Sequence, residues 1–158
     1  MWALNHSSKK FLTGLILLIL CACGAEQQKI PQAQIAKQNA FQIGKHTVYL
    51  STNKTNRLSE AMAIKYNVDR KQSLSMLNVS ILRDSDNKSV TAKIDIDIKN
   101  LLGQNKKITA LTFIENSYIS YAFISSVSNQ ETLLYKLKVS PENKYIKNIQ
   151  YREKFYID

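Results

Sequence analysis

Residues 90–98 alternate strictly between apolar and polar side chains, and this alternation constrains the fold more than any other feature of the sequence. The apolar members are Val90, Ala92, Ile94, Ile96 and Ile98. Because successive side chains of a β-strand point to opposite faces, the pattern predicts a strand with one buried face and one face in water. Such strands are typical of antiparallel sheets, which pack only one face against a core.

Segments with the same period of two surround this strand. They predict further strands at residues 41–50, 74–83, 108–114, 118–124, 132–139 and 145–157. In the second of these segments, Leu74 and Met76 are out of phase with Leu77, which predicts a β-bulge near Met76. About seven strands at short spacing favour an all-β fold, an antiparallel β-sandwich of the immunoglobulin-like class over residues 41–158. A closed barrel is the alternative.

One helix interrupts the series of strands. Residues 58–66 switch to helical spacing, with apolar side chains recurring every four positions. We expect Ser59 to cap the N-terminus of this helix, because its hydroxyl can accept a backbone hydrogen bond. Asn67, which tolerates the left-handed conformation, is expected to end it.

The N-terminal segment predicts export. Lys9 and Lys10 precede an apolar run at residues 11–20, and a small residue, Ala22, lies directly before Cys23. This is signal-peptide architecture, and the run is too short for an ordinary membrane span. With leucine three positions before Cys23, the segment resembles the lipobox of bacterial lipoproteins. That resemblance implies a signal peptide at 1–22 and acyl chains, palmitate among them, on Cys23. A plain secretory signal or an uncleaved anchor is the alternative.

Residues 23–40 then read as the acylated cysteine and a flexible tether rich in Gln, Ala and Lys. A coil of this length has an average reach of about 20–25 Å. A short amphipathic helix lying on the membrane, with Ile30 and Ile35 on its apolar side, is the competing interpretation. Gly24 rather than Asp follows the acylated cysteine, which by resemblance to enteric lipoproteins predicts the periplasmic face of the outer membrane.

The chain is strongly basic, with a formal net charge of +10 among 158 residues. Of its 22 Lys and Arg residues only two leave with the signal, so 20 remain in the mature chain against 12 acidic residues. Export removes nucleic acid from reach, so the candidate partners are anionic lipids or an acidic envelope protein. Four basic residues on two late strands predict a basic binding patch: Lys136, Lys138, Arg152 and Lys154. A solvated face that binds nothing is the alternative.

No motif of an established enzyme class is present. Both cysteines lie at or before the processing site, so the folded domain offers no thiol, and we predict no cofactor. His46 is the single histidine of the mature chain, and we expect a packed residue rather than a catalyst. Asp95 and Asp97 share the exposed face of their strand, where paired carboxylates can serve acid–base chemistry or form cross-strand ion pairs with lysines.

Several segments are similar to a bacterial family known as domain of unknown function 4426. The resemblance lies in Asn100-Leu-Leu-Gly-Gln104, in the terminal Phe155-Tyr-Ile-Asp158, and in residues 61–66 with the positions that follow them, Val68, Arg70, Asn78 and Val79. It covers about residues 42–158. The resemblance implies a small exported Gram-negative protein with a β-sandwich-like domain. It implies no activity, cofactor or catalytic residue.

We therefore expect a lipid-anchored envelope protein that binds or scaffolds a partner without catalysis, in an oligomeric state that the sequence leaves open. Two alternatives stay open at this point. One is a hydrolase-like or other enzyme that uses His46 or the Asp95/Asp97 pair. The other is a carrier that holds an apolar ligand between its two sheets.

Overall fold

The structure, a computed structural model, describes residues 39–157. Its strands, in chain order, are β1 (Ala40–Ile43), β2 (His46–Lys54), β3 (Leu74–Arg83), β4 (Ala92–Asn100), β5 (Thr109–Glu115), β6 (Tyr118–Ser126), β7 (Thr132–Pro141) and β8 (Lys147–Lys154). The connection between β2 and β3 contains a 3₁₀ turn (Thr55–Arg57) and one helix, α1 (Glu60–Lys65).

The strands form two sheets, and every neighbouring pair is antiparallel. The larger sheet has the order β1-β2-β3-β6-β5, and the smaller sheet has the order β4-β7-β8. Their inner faces pack against each other through aliphatic side chains that water does not reach, such as Val79 and Ile98 at 0% exposed, and through Tyr135 at 1%. The predicted all-β antiparallel sandwich is confirmed.

The first predicted strand, residues 41–50, is in fact a hairpin. Gly44 and Lys45 form a two-residue turn between β1 and β2, and Ile43 pairs with His46 across it. Gly44 has a φ of +58°, which a residue without a side chain adopts at low cost and which suits the tight turns of hairpins. The described chain therefore has eight strands where about seven were predicted.

The predicted bulge near Met76 was wrong. The pairing of β2 with β3 runs without interruption from His46 opposite Arg83 to Lys54 opposite Ser75. Met76 and its neighbour Leu77 are both buried because β3 is covered on both faces. On the outer face of the larger sheet, the segment around α1 covers a second apolar cluster, formed by Val68, Met76, Phe113, Ala122 and Ile124.

The helix is confirmed, over a shorter range than predicted. The hydroxyl of Ser59 accepts a hydrogen bond from the backbone N–H of Met62 at 3.3 Å, as an N-cap does. Asn67 has a φ of +50° just after the helix. Both expectations about the ends of α1 therefore hold.

The larger sheet extends beyond the smaller one on one side. At the opposite side, Thr52 of β2 donates to Glu153 of β8 at 3.0 Å, so β8 lies beneath the β1–β2 edge. The backbone N–H of Ala92, at the start of β4, donates to the Tyr121 hydroxyl of β6 at 2.8 Å. Since the smaller sheet has only three strands, β5 has no strand facing it, and its inner-face side chain Ile114 is 61% exposed.

Candidate functional site

The predicted lipidation residue, Cys23, lies outside the described residues, as do the predicted signal peptide and almost all of the tether. The anchor therefore stays a prediction from sequence. Within residues 39–157, none of the helices has the length and apolar character that crossing a bilayer requires.

The four residues of the predicted basic patch share one surface, the outer face of the smaller sheet. We call this surface the basic face and define it by its charged residues: Lys93, Asp95, Asp97, Lys99, Lys136, Lys138, Arg152 and Lys154. The pairing of β7 with β8 places Thr132 opposite Lys154 and Leu134 opposite Arg152, so the basic side chains of both strands project the same way.

Two aspartates partly neutralise the middle of this face. Asp95 lies directly opposite Lys138, and Asp97 lies directly opposite Lys136. The arrangement is that of cross-strand pairs, which stabilise antiparallel sheets. Lys99 also approaches Asp97, with its Nζ 3.5 Å from Oδ2. The uncompensated positive charge therefore lies toward the end of the sheet where Arg152 and Lys154 project.

An exposed pair of leucines lies at that same end. Leu101 is 63% exposed and Leu102 is 83% exposed, in the turn that follows β4. Asn100, the last residue of β4, pairs with Leu133, and the preceding residue of β7, Thr132, pairs with Lys154. The turn 101–104, which we call the leucine turn, is thus at the same end of the smaller sheet as Arg152 and Lys154, with β7 between them. Apolar side chains this exposed contribute nothing to the core.

The backbone of the leucine turn is fixed by Asn100. The side-chain oxygen of this residue accepts the N–H groups of Leu102 at 3.1 Å and Gln104 at 3.0 Å. Its amide nitrogen donates to the side chain of Gln104 at 2.7 Å. Gly103 has a φ of +80°, and the space that a Cβ would occupy there is open, so the turn uses glycine for its backbone conformation. The leucines are therefore held in place on a turn of defined geometry.

Glu131 supports this turn from the neighbouring loop. Its carboxylate accepts hydrogen bonds from the backbone N–H of Ser128 at 2.8 Å and from the amide of Asn100 at 3.3 Å. Lys106 lies 2.6 Å from it, and both side chains of this ion pair are only 14% exposed. Burial alone would raise the pKa of Glu131. The hydrogen bonds from Lys106, Ser128 and Asn100 outweigh burial and hold the pKa below its usual range.

His46 lies at the other end of the sandwich and is 4% exposed. Its Nε2 is 3.3 Å from Oε2 of Glu142, but neither ring nitrogen makes a hydrogen bond with the described part of the chain. Arg83 binds the same carboxylate at 2.6 Å and, through that hydrogen bond, lowers the pKa of Glu142. The Glu142 side chain is 26% exposed, so a solute in water reaches it more readily than it reaches the histidine.

The structure keeps the candidate catalytic residues apart from one another. Asp95 and Asp97 are in the middle of β4 on the basic face, whereas His46 begins β2 in the other sheet. No group of three or more His, Cys, Asp or Glu side chains in residues 39–157 is arranged to hold a metal ion.

Sequence reasoning missed the leucine turn and its support. In the sequence the two leucines are part of the family-like segment Asn100-Leu-Leu-Gly-Gln104, and two adjacent leucines directly after an alternating strand were a usable signal of exposed apolar surface. The partners of Asn100 gave no such signal. Lys106 and Glu131 are 25 positions apart in sequence, and only the fold brings their charges together.

Comparisons with known proteins give one family and one fold. A family model described as "Domain of unknown function (DUF4426)" matches residues 40–158. A crystal structure of a DUF4426 family protein from Pseudomonas aeruginosa PAO1 is similar with a TM-score of 0.68 at 18% identity, over 79% of this chain and 99% of that chain.

A more distant likeness is to a copper-bound variant of FetP from uropathogenic Escherichia coli strain F11. Its TM-score is 0.51 at 9% identity, over 73% of this chain and 93% of that chain. At this identity the likeness concerns the fold, and the copper is a property of FetP. Among curated protein sequences, none matches this chain.

Proposed function

Since this chain belongs to the DUF4426 family, whose function is unknown, we propose a role for it from its own surface. We infer that it is a lipid-anchored, non-enzymatic binding module of the cell envelope. In this role the acyl chains on Cys23 hold the protein at a membrane, and the domain docks on an anionic lipid surface through the leucine turn and the adjoining end of the basic face.

The observation that carries this proposal is the placement of Leu101 and Leu102. Both are more than half exposed, on a turn fixed by Asn100 and at the same end of the smaller sheet as exposed Arg152 and Lys154. Apolar side chains flanked by basic ones suit the boundary between lipid head groups and acyl chains. Tyr156, 55% exposed with the Lys154 ammonium 5.1 Å from its ring centre, adds an aromatic residue of the kind found at such boundaries.

The predicted anchor makes weak contacts by the domain sufficient. A tether with an average reach of about 20–25 Å keeps the domain close to the bilayer after the acyl chains insert. Each basic residue near an anionic surface contributes about 1 kcal/mol of attraction. The export signal and the anchor are both inferred from residues 9–23.

The geometry supports the alternatives less well. An enzyme that used His46 would need its substrate to reach a ring that is 4% exposed. An acid–base pair formed by Asp95 and Asp97 would have to act while each carboxylate faces a lysine on β7. A carrier needs space between its sheets, where side chains such as Leu77 and Tyr135 instead pack with 1% exposure or less.

Flotation with lipid vesicles tests the docking. The unacylated chain from residue 37 onward, which forms one compact unit, should float with vesicles that contain anionic lipid more than with neutral vesicles. Leu101→Ser combined with Leu102→Ser should reduce flotation with anionic vesicles, and so should Arg152→Glu combined with Lys154→Glu. Salt should weaken the charge-dependent part, because the Debye length is only about 8 Å at physiological ionic strength.

Two matched variants serve as controls. Ile64→Ser removes an equally exposed apolar side chain from α1, and Lys45→Glu reverses a charge at the opposite end of the sandwich. Neither should alter flotation. If the wild-type chain ignores vesicle charge, the docking proposal fails and an acidic protein becomes the candidate partner. Incorporation of labelled fatty acid, and its loss in Cys23→Ala, tests the anchor separately.

A further inference from the structure

The side of the sandwich formed by β4 and β5 is one strand short. Ile94 and Ile96 of β4 are only half-buried there, and beyond the edge of β4 the inner-face residues Ala110, Thr112 and Ile114 of β5 are all exposed. We call this opening the β4 slot and define it by these five residues. This part of the inner faces of the two sheets is open to water, whereas the rest of those faces packs in the core. It is therefore an uncovered surface on which a partner can pack.

The free edge of β4 offers unpaired backbone groups to this slot. Along β4, alternate residues bond to β7, and the others direct their N–H and C=O groups outward. The outward C=O of Ile98 accepts Lys106 N–H at 2.8 Å, and the outward N–H of Ala92 binds Tyr121. Within residues 39–157, the outward groups of Ile94 and Ile96 between them have no backbone partner. Such an edge is a template for one more strand.

A second copy of this chain does not fit the slot through the same edge. Pairing β4 with β4 of another copy would extend the smaller sheet on both sides of a twofold axis. In such a dimer, β6 of the second copy would lie above β4 of the second copy. This is the space that β5 of the first copy already occupies. The overhang of β5 thus admits a strand that has no second sheet above it.

β7 shows what kind of strand β4 accepts. On its paired edge, Asp97, Ile96, Asp95 and Ile94 lie opposite Lys136, Leu137, Lys138 and Val139. The side chains on the free edge are the same, since both edges share the two faces of one strand. We propose that the β4 slot binds an extended segment of a partner protein, antiparallel to β4, with the pattern basic–apolar–basic–apolar. Its basic residues would face Asp97 and Asp95, and its apolar residues would lie under β5.

A labelled peptide with the sequence Leu-Tyr-Lys-Leu-Lys-Val-Ser, which copies residues 134–140, is the probe. The whole protein should bind it saturably, as followed by fluorescence anisotropy. A peptide with glutamate in place of both lysines should bind at least tenfold more weakly. Asp95→Lys combined with Asp97→Lys, at two exposed positions, should reverse this preference. Methylation of the peptide nitrogens that face Ile94 and Ile96 should abolish binding without altering any side chain.

Hydrogen exchange locates the peptide. The amide protons of Ile94 and Ile96 should exchange more slowly when the probe is bound, while those of Thr52 and Lys54 at the opposite edge should not change. Equal binding of the methylated probe, or no protection at Ile94 and Ile96 under saturation, would overturn the proposal. Self-association of the protein that the double Asp→Lys variant abolishes would also overturn it, because a second copy would then be the occupant.

Discussion

Each end of the sandwich has one glutamate that joins loops, and the two glutamates differ in their access to water. Glu131 is 14% exposed, and its ion-pair partner Lys106 is also 14% exposed. Glu142 is 26% exposed, and its closest partner, Arg83, is 37% exposed. Both carboxyl groups have a lowered pKa, so lowered pKa values alone do not separate the two sites.

The difference shows which loops the fold holds rigidly. When one partner of an exposed ion pair is removed, water can replace it, so the free energy of unfolding falls only a little. When one partner of a largely buried pair is removed, the remaining charge is left without a partner, and the free energy of unfolding falls by more. Glu131 supports the leucine turn, whereas Glu142 joins turns that contribute little to the proposed docking surface. The rigid end and the proposed docking end are therefore the same end.

The largest expected effect is from Glu131→Ala. This change leaves the Lys106 ammonium and the Ser128 N–H without their acceptor, and it should lower the free energy of unfolding by about 2–4 kcal/mol. Urea denaturation followed by circular dichroism measures it. Glu142→Ala is the matched variant and should have a clearly smaller effect. Equal losses in the two variants would contradict the comparison.

Asn100→Ala should cause the next largest loss in the free energy of unfolding. It removes the acceptor of two backbone N–H groups in the leucine turn, at a residue that is 8% exposed. We expect a loss of about 2 kcal/mol in the same measurement, because buried donors lose their partner. Asp84→Ala removes a comparable acceptor at the other end, which receives hydrogen bonds from the side chains of Gln42 and Thr47 at the surface. Its loss should be about 0.5 kcal/mol. A larger loss there than in Asn100→Ala would reverse the ranking of the two ends.

The smallest expected effect concerns how the free energy of unfolding depends on pH. The pKa of Glu131 is lower in the folded state than in the unfolded chain, so its contribution is present above the unfolded-state pKa and is lost as pH falls through the folded-state pKa. The same sign holds for Glu142. Between pH 7 and pH 3, Glu131→Gln should therefore lose less stability than the wild type does.

Salt separates the two glutamates in that experiment. Glu142→Gln should differ from the wild type at low ionic strength, and the difference should shrink in 1 M NaCl, where the Debye length is about 3 Å. The difference caused by Glu131→Gln should persist, because a partly buried pair is screened less than an exposed one. If salt removed both differences equally, the two carboxylates would have the same access to water.

The sequence predicted the elements whose pattern is local. Residues 90–98 alternate without a break, and the strand they form is β4, displaced by two residues. The Ser59 cap and the left-handed Asn67 were likewise predictable, because each depends on neighbours within a few positions. Local signals failed at β3, where Met76 is buried in a cluster that includes Leu58 and Tyr66 from the segment around α1. A strand covered on both faces looks like a broken alternation in sequence.

The candidate site was predictable in its residues and not in its surroundings. The four basic side chains were expected to share a face if their strands were neighbours, and β7 does pair with β8. The aspartates opposite Lys136 and Lys138 come from β4, about 40 positions earlier in the chain, and strand order cannot be read from period-two patterns. The β4 slot depends on the unequal number of strands in the two sheets, which is a property of the topology alone.

The short strand β1 has a mechanical consequence. It is the first strand that the structure describes, four residues long, and at its open end the carbonyl of Asn39 accepts the backbone N–H of Leu50. If Cys23 is fixed in a membrane, a pull on the domain acts on that open end, so the pairs of the β1–β2 hairpin separate one after another instead of together. Force spectroscopy would record this as an early, short extension. The remaining strands would stay paired, so the linker to the membrane would become longer under tension before the pairing of β2 with β3 opened.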